Sequence, residues 1–142
     1  MSTDYLLLED KGSLDITQLK ELSESVGSKP RQVEKWARAL SFSPFVAFIE
    51  DKGKLVGFGR IESDGTVYII YDMCVLPGLQ GNGLGSAILL SLMNQATKEG
   101  VESIGLSAWT PMARKFYLKH GFKDSYTNLD LPDYMEVHLP RN

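Results

Sequence analysis

The chain has a single cysteine, Cys74, among 142 residues. That excludes an intrachain disulfide framework and any multi-cysteine metal site. Histidine is almost as scarce: His120 and His138 are the two present, and they follow no ligand spacing, so a zinc site has no basis in the sequence. Basic runs are missing as well, and the formal net charge is −3, which argues against nucleic acid as the principal partner. No apolar stretch approaches the roughly 20 residues that span a bilayer. The opening MSTDYLLLED carries neither a basic n-region nor a cleavage site. The expectation is a cytoplasmic protein with no membrane or nucleic-acid partner and no bound metal. What is present is ordinary for a folded domain: 43% hydrophobic and 23% charged residues. No repeat, low-complexity segment or linker interrupts it, so residues 1–142 read as one domain.

Tyr5 to Glu9 is a short apolar run and reads as a first strand. Asp15 suits a helix N-cap, with Gln18 in capping-box position. Ile16, Leu19, Leu22 and Val26 line one helical face, which Gly27 closes. Pro30 fits the first position of a second helix, whose apolar stripe is Val33, Trp36, Ala37 and Leu40. Phe45 to Glu50 and Leu55 to Glu62 flank the turn Asp51-Lys52-Gly53 and predict a hairpin. Asp64-Gly65 turns the chain into a third strand from Tyr68. A long helix then ends at Lys98-Glu99-Gly100, and Val101 to Trp109 reads as the next strand, parallel to the strand before the helix. Thr110 as N-cap and Pro111 open a last helix, stopped by Gly121. Phe122 onward gives two further strand-like segments around Pro132-Asp133, the second from Tyr134 to Leu139. The order is β-α-α-β-β-β-α-β-α-β-β.

The centre of the chain is YIIYDMCVLPGLQGNGLGSAILLSLMNQ, Tyr68 to Gln95. A β-branched and aromatic run breaks at Pro77-Gly78, then Gly81, Gly83 and Gly85 precede an apolar run of helical spacing. Strand, glycine loop and helix in that order put unpaired backbone N–H groups at a positive helix end, where a pyrophosphate can sit. No Lys follows the glycines, so the nucleotide-triphosphatase loop is excluded. The spacing G-x-G-x-G also departs from the dinucleotide fingerprint.

The stretch resembles motif A of the GNAT superfamily of N-acetyltransferases: a strand ending Val-x-Pro, then Gln/Arg-x-x-Gly-x-Gly/Ala, then a helix. Val75-Leu76-Pro77 and Gln80-Gly81-Asn82-Gly83-Leu84-Gly85 fill each defining position. Farther on, Ala113-Arg114-Lys115-Phe116-Tyr117-Leu118-Lys119-His120-Gly121-Phe122 resembles the family segment Ala-x-x-Phe/Leu-Tyr-x-x-x-Gly-Phe. The resemblance covers nearly the whole chain. It implies an α/β (α+β) fold with a mixed, mostly antiparallel central sheet flanked by helices. It also implies direct acetyl transfer from acetyl-CoA to a primary amine, with no acyl-enzyme.

The same resemblance assigns roles. The amides of Gln80, Gly81, Asn82, Gly83, Leu84, Gly85 and Ser86 would hold the coenzyme A pyrophosphate. Met73, Cys74 and Val75, on a strand expected to bulge and splay, would face the acetyl and pantetheine portions, one amide polarising the carbonyl. Tyr117 would protonate the leaving thiolate, since a phenol with a pKa of about 10 is protonated at neutral pH. The general base is open between Asp72 and Glu62, with Glu102 a third choice and water or a substrate group serving instead of all three. Cys74 has no histidine partner in the sequence and reads as a small apolar strand residue. Many relatives place an Asn seven residues ahead of the tyrosine, where this chain has Thr110. Trp109 beside it suits either cofactor or acceptor contact or core packing, and Trp36 either a core anchor or an acceptor-pocket wall. Phe42, Tyr126 and Tyr134 are further candidates for choosing the acceptor. A small-molecule amine is the expected acceptor, a protein N-terminus or lysine the alternative. A non-catalytic acyl-CoA-binding module is a reading of another class. A homodimer is compatible with the fold.

Overall fold

The computed structural model describes residues 4–125 and 133–141. β1 (Tyr5–Leu8) passes through a 3-10 turn at Lys11–Ser13 into α1 (Ile16–Ser25) and α2 (Val33–Ser41). A meander follows: β2 (Phe45–Asp51), β3 (Lys54–Ser63) and β4 (Tyr68–Val75). Then come α3 (Leu84–Lys98), β5 (Ser103–Ser107), α4 (Pro111–Lys119), β6 (Lys123–Asp124) and β7 (Tyr134–His138). The expected order of elements is the observed one. The strands form one sheet in the order β1-β2-β3-β4-β5-β7-β6. Neighbours are antiparallel except β4 and β5, which the α3 crossover makes parallel.

Local chemistry explains several boundaries. Lys52 and Gly53 both have left-handed φ, 52° and 82°, the geometry of a two-residue type I′ hairpin turn. Thr110 accepts a hydrogen bond from the Ala113 amide at 3.1 Å, and Pro111 occupies the first turn of α4. Asp15 caps α1 through the Gln18 amide at 3.1 Å. The reciprocal half of the capping box is not made. The Gln18 side chain instead accepts from the Leu55 amide (2.8 Å) and donates to the Gly53 carbonyl (3.3 Å), pinning α1 to the β2–β3 turn. α2 begins at Val33 rather than Pro30, with Gln32 in extended conformation as its cap. The expected segment around Pro132, and Tyr126, lie outside the described residues.

β2 is apolar on both faces because both are covered. Phe45, Ala47 and Ile49 join the core under α3, while Val46 and Phe48 join the core under α1 and α2. Trp36 belongs to that second core. It is 1% exposed and sets its ring edge-on against Phe58. On β3, Gly59 lets α3 approach the sheet. A Cβ there would strike the Met73 sulfur, with Ile88 Cγ2 at 2.9 Å and Leu92 Cδ1 at 3.2 Å. Gly59→Ala is therefore expected to destabilise the fold by about 1–3 kcal/mol through overpacking. A lowered urea midpoint at unchanged slope would register it, and an unchanged midpoint would mean that the three side chains move aside at no cost.

Candidate active site

The site forms where β4 leaves the sheet. Phe58 pairs with Cys74 and Arg60 with Tyr71, so Gly59 alone faces both Asp72 and Met73. Two residues against one is a β-bulge, and Asp72 takes it up with a left-handed φ of 60°. Beyond the bulge the side chains change faces. Ile70, Met73 and Val75 all meet the α3 core, whereas Cys74 meets the α1–α2 core. On its other edge β4 registers with β5 at one pair, Ile69 with Gly105. The two parallel strands then diverge around a cavity of about 420 Å³, lined among others by Ser28, Asp72, Met73, Trp109, Thr110 and Tyr117. Trp109 is 76% exposed at its rim, so it is a wall and not a core residue.

The glycine loop follows directly. The Leu76 amide bonds the Val56 carbonyl at 2.8 Å and ends the strand, and the Leu79 amide returns to the Leu76 carbonyl at 3.0 Å. Gln80 donates to the Val75 carbonyl and Asn82 to the Leu79 carbonyl, both at 3.2 Å. These side chains therefore brace the loop. Gly83 is the N-cap of α3 with φ 81°, and no side chain caps the helix. A Cβ on Gly81 or Gly83 would meet nothing within 4 Å. The loop is thus open beside the positive end of α3, whose first turn has no side-chain cap, and that fits a pyrophosphate. Ser86, in the first turn of α3, bonds His120 Nε2 at 2.9 Å and ties it to α4. Burial and the neighbouring Lys119 charge both push the pKa of His120 down.

Tyr117 reaches the cavity from α4. Its ring is held edge-on by Phe116 and Phe122, with centroids 5.0 and 5.5 Å away. Burial pushes the phenol up to about 12, so it is protonated across the physiological range. Cys74 is likewise pushed up to about 12, by burial first and then by the Asp72 charge. A thiol so disposed is no nucleophile.

Asp72 and Glu62 meet on one arginine. Asp72 Oδ2 accepts from Arg60 Nε at 2.8 Å and from Arg31 Nη1 at 2.9 Å. Arg60 Nη1 reaches Glu62 Oε1 at 2.9 Å and Ser43 Oγ at 3.2 Å. The guanidinium of Arg60 lies 5.1 Å from the Tyr71 ring centroid, and that of Arg31 lies 4.4 Å from that of Trp36. Sequence reasoning singled out the two carboxylates and missed both arginines. The signal available was an Arg inside the otherwise apolar run LVGFGRI. Of the other singled-out residues, Met73 lines the cavity with Asp72 and Tyr117, Val75 turns toward Gly85, and Cys74 turns away from the cavity. Glu102 lines a separate groove with Gly100, His138 and Arg141 at the other end of β5. Phe42 is exposed at the end of α2, and Tyr134 packs its ring over Gly105. Among the described residues no three His, Cys, Asp or Glu side chains gather as metal ligands.

Comparison with known proteins bears on this site. The model of the acetyltransferase (GNAT) family matches residues 14–122. An N-acetyltransferase ycf52 of Pyropia yezoensis is 33% identical over 122 residues, 82% of this chain and 70% of its own. Serotonin N-acetyltransferase 2, chloroplastic, of Oryza sativa subsp. japonica is 36% identical over 115 residues, 77% of this chain and 56% of its own. The chain thus spans little more than half of the rice protein. Among solved structures, the ribosomal-protein-S18-alanine N-acetyltransferase of Escherichia coli superposes with a TM-score of 0.80, covering 97% of this chain and 96% of its own at 18% identity.

Proposed function

The chain belongs to the acetyltransferase (GNAT) family, and from that premise we propose that it moves an acetyl group from acetyl-CoA directly to the primary amine of a small molecule. The observation that carries the reading is the shared cavity, in which the buried phenol of Tyr117 lines the same space as Asp72 and Met73 on the bulge. The glycine loop supplies the pyrophosphate cradle, through Gln80, Gly81, Asn82, Gly83, Leu84, Gly85 and Ser86. The acyl chain then runs along the β4 edge at Met73, Cys74 and Val75, where a backbone amide meets the thioester oxygen.

The reaction balances with these groups. The amine nitrogen bonds the carbonyl carbon, the C–S bond breaks, and Tyr117 gives its proton to the departing sulfur. Asp72 is the proton acceptor of this reading, through Oδ1, which takes no hydrogen bond from a described residue. Glu62, tied to Arg60 and 40% exposed, is the alternative. The base hands its proton to Tyr117 or to solvent, closing the cycle.

A small amine is favoured over a protein acceptor by two observations. The rice relative is named for a small amine, and aromatic Tyr71 and Trp109 wall the cavity. The S18-alanine enzyme, at 18% identity, shares the fold alone. A homodimer belongs to the same reading, since β1 lies at the sheet edge with Leu6 and Leu7 exposed. So does a cytoplasmic location, although the rice relative is named chloroplastic; no described helix is long and apolar enough to cross a membrane. The test is release of free coenzyme A thiol from acetyl-CoA with a panel of aromatic, aliphatic and polyamine acceptors beside N-terminal and lysine peptides. Turnover confined to small amines is expected. Turnover confined to peptides would replace the acceptor class, and acetyl-CoA binding without turnover on any amine would favour the binding module.

A further inference from the structure

Arg60 is nearly enclosed, with 6% of its side chain exposed, yet neither it nor Arg31 lines the cavity. Its described contacts reach across the site: Asp72 on the bulge, Tyr71 beside it on β4, Glu62 farther along β3, and Ser43 at the entrance to β2. We infer that Arg60, assisted by Arg31, is a positioning residue for acetyl transfer, holding β4 in its bulge through Asp72 and so keeping the Met73–Val75 edge clear of β5. The inference rests on the acetyl-transfer reading above.

The backbone gives the reason. A left-handed φ of 60° at Asp72 carries a modest cost even for an aspartate, so contacts made only in the bulge tip the balance toward it. A guanidinium with its planar fork buried cannot regain water if Asp72 departs, so the regular strand costs more than the strained one. Arg31 closes on the same Oδ2 from the segment before α2, stacked on Trp36. This also explains why α2 starts late. Gln32 stays extended, and Arg31 before it reaches across to β4 with its guanidinium. Without the bulge, a regular alternation from Ile70 would exchange the faces of Met73, Cys74 and Val75. The Cys74 side chain would then point to the α3 core and Met73 to the α1–α2 core. The β4 edge would also be free to continue its register with β5 and close the cavity.

The test compares the parent with Arg60→Met and Arg31→Met, followed by turnover, by acetyl-CoA titration calorimetry and by backbone NMR. Arg60→Met is expected to lose roughly 100-fold in kcat while its acetyl-CoA dissociation constant rises by less than about tenfold, because the acyl edge is disturbed but the pyrophosphate cradle of the glycine loop is untouched. The amide and Cα shifts of Asp72, Met73 and Cys74 should move while those of β1 and β2 hold. In an Asp72→Ala background, which removes both acceptor oxygens, Arg60→Met should move the Met73 and Cys74 shifts no further, since its route to the bulge is already gone. Arg31→Met, whose side chain is 31% exposed, should show the same pattern at about tenfold in kcat, and it carries the test should Arg60→Met not fold. Unmoved shifts at Asp72, Met73 and Cys74, a parental kcat, or a further shift change at Met73 and Cys74 when Arg60→Met is added to Asp72→Ala would overturn the inference. A parent that binds acetyl-CoA but turns over no amine would overturn the acetyl-transfer reading and the catalytic half of this inference together. The NMR shifts would then still decide whether the arginines hold the bulge.

Discussion

Gly83→Asp is expected to remove measurable acetyl-CoA binding and leave the fold intact. The position tolerates the change in the free protein. Its φ of 81° is one that Asp and Asn adopt more readily than other residues with a Cβ, and the new Cβ meets nothing within 4 Å. The strain is therefore about 1 kcal/mol, small against a typical folding free energy. The charge is another matter. A carboxylate at the mouth of α3 opposes the helix dipole's attraction for a phosphate and repels it directly. At about 4 Å and an effective dielectric of about 20, that repulsion is on the order of 4 kcal/mol. Screening at an exposed loop leaves roughly 2–4 kcal/mol, or ~30- to ~1000-fold in the dissociation constant. Gly83→Asn is the matched control, equal in shape and neutral, and it should keep most of the affinity. Titration calorimetry on all three proteins, with thermal melts beside it, separates the cases. Parental affinity in a folded Gly83→Asp would remove the phosphate from this loop, and with it the cofactor site.

The loop was legible because its signal is local. Val75-Leu76-Pro77 ends a strand, the glycines permit positive φ, and the apolar run starts a helix, all within one stretch of chain. The same holds for the Lys52-Gly53 turn and for the Thr110-Pro111 helix start, each formed as expected. What stayed hidden depends on partners distant in sequence. Gln18 has the spacing of a capping box but spends its side chain on Gly53 and Leu55. Pro30 is a good helix start in isolation, yet Arg31 is drawn into an ion pair with Asp72, 41 residues on. A bulge somewhere on this strand was expected from the family, but its place at Asp72 is written nowhere in the alternation of YIIYDMCV, because register belongs to a pair of strands and not to one. The carboxylates were legible as candidates for the same reason that their pairing was not. Residue type announces that a group can move a proton, but only packing shows that Asp72 and Glu62 share Arg60, or that Glu102 faces a different groove.

Tyr117→Phe should lower kcat by roughly 100-fold or more with little change in acetyl-CoA affinity. The ring keeps its edge-on contacts with Phe116 and Phe122, and the lost hydroxyl has no hydrogen-bond partner among the described residues, so the substitution removes chemistry and spares packing. The pH dependence carries a sharper consequence. An acid works only while protonated, so its contribution fades as pH rises through its pKa. An ordinary phenol would place that alkaline limb near pH 10, but burial pushes Tyr117 up to about 12. The limb from this residue therefore lies beyond the usual assay range, and kcat should stay level where a solvent-exposed tyrosine would already have failed. Burial disfavours a thiolate as it disfavours a phenolate, so a sulfur departing inside the cavity takes up a proton the more readily, and a weaker acid stays competent. An alkaline limb near pH 10 that disappears in Tyr117→Phe would mean that the phenol is wetter than its packing allows. A folded Tyr117→Phe with parental kcat would take the proton from Tyr117 altogether and leave the departing thiolate to water.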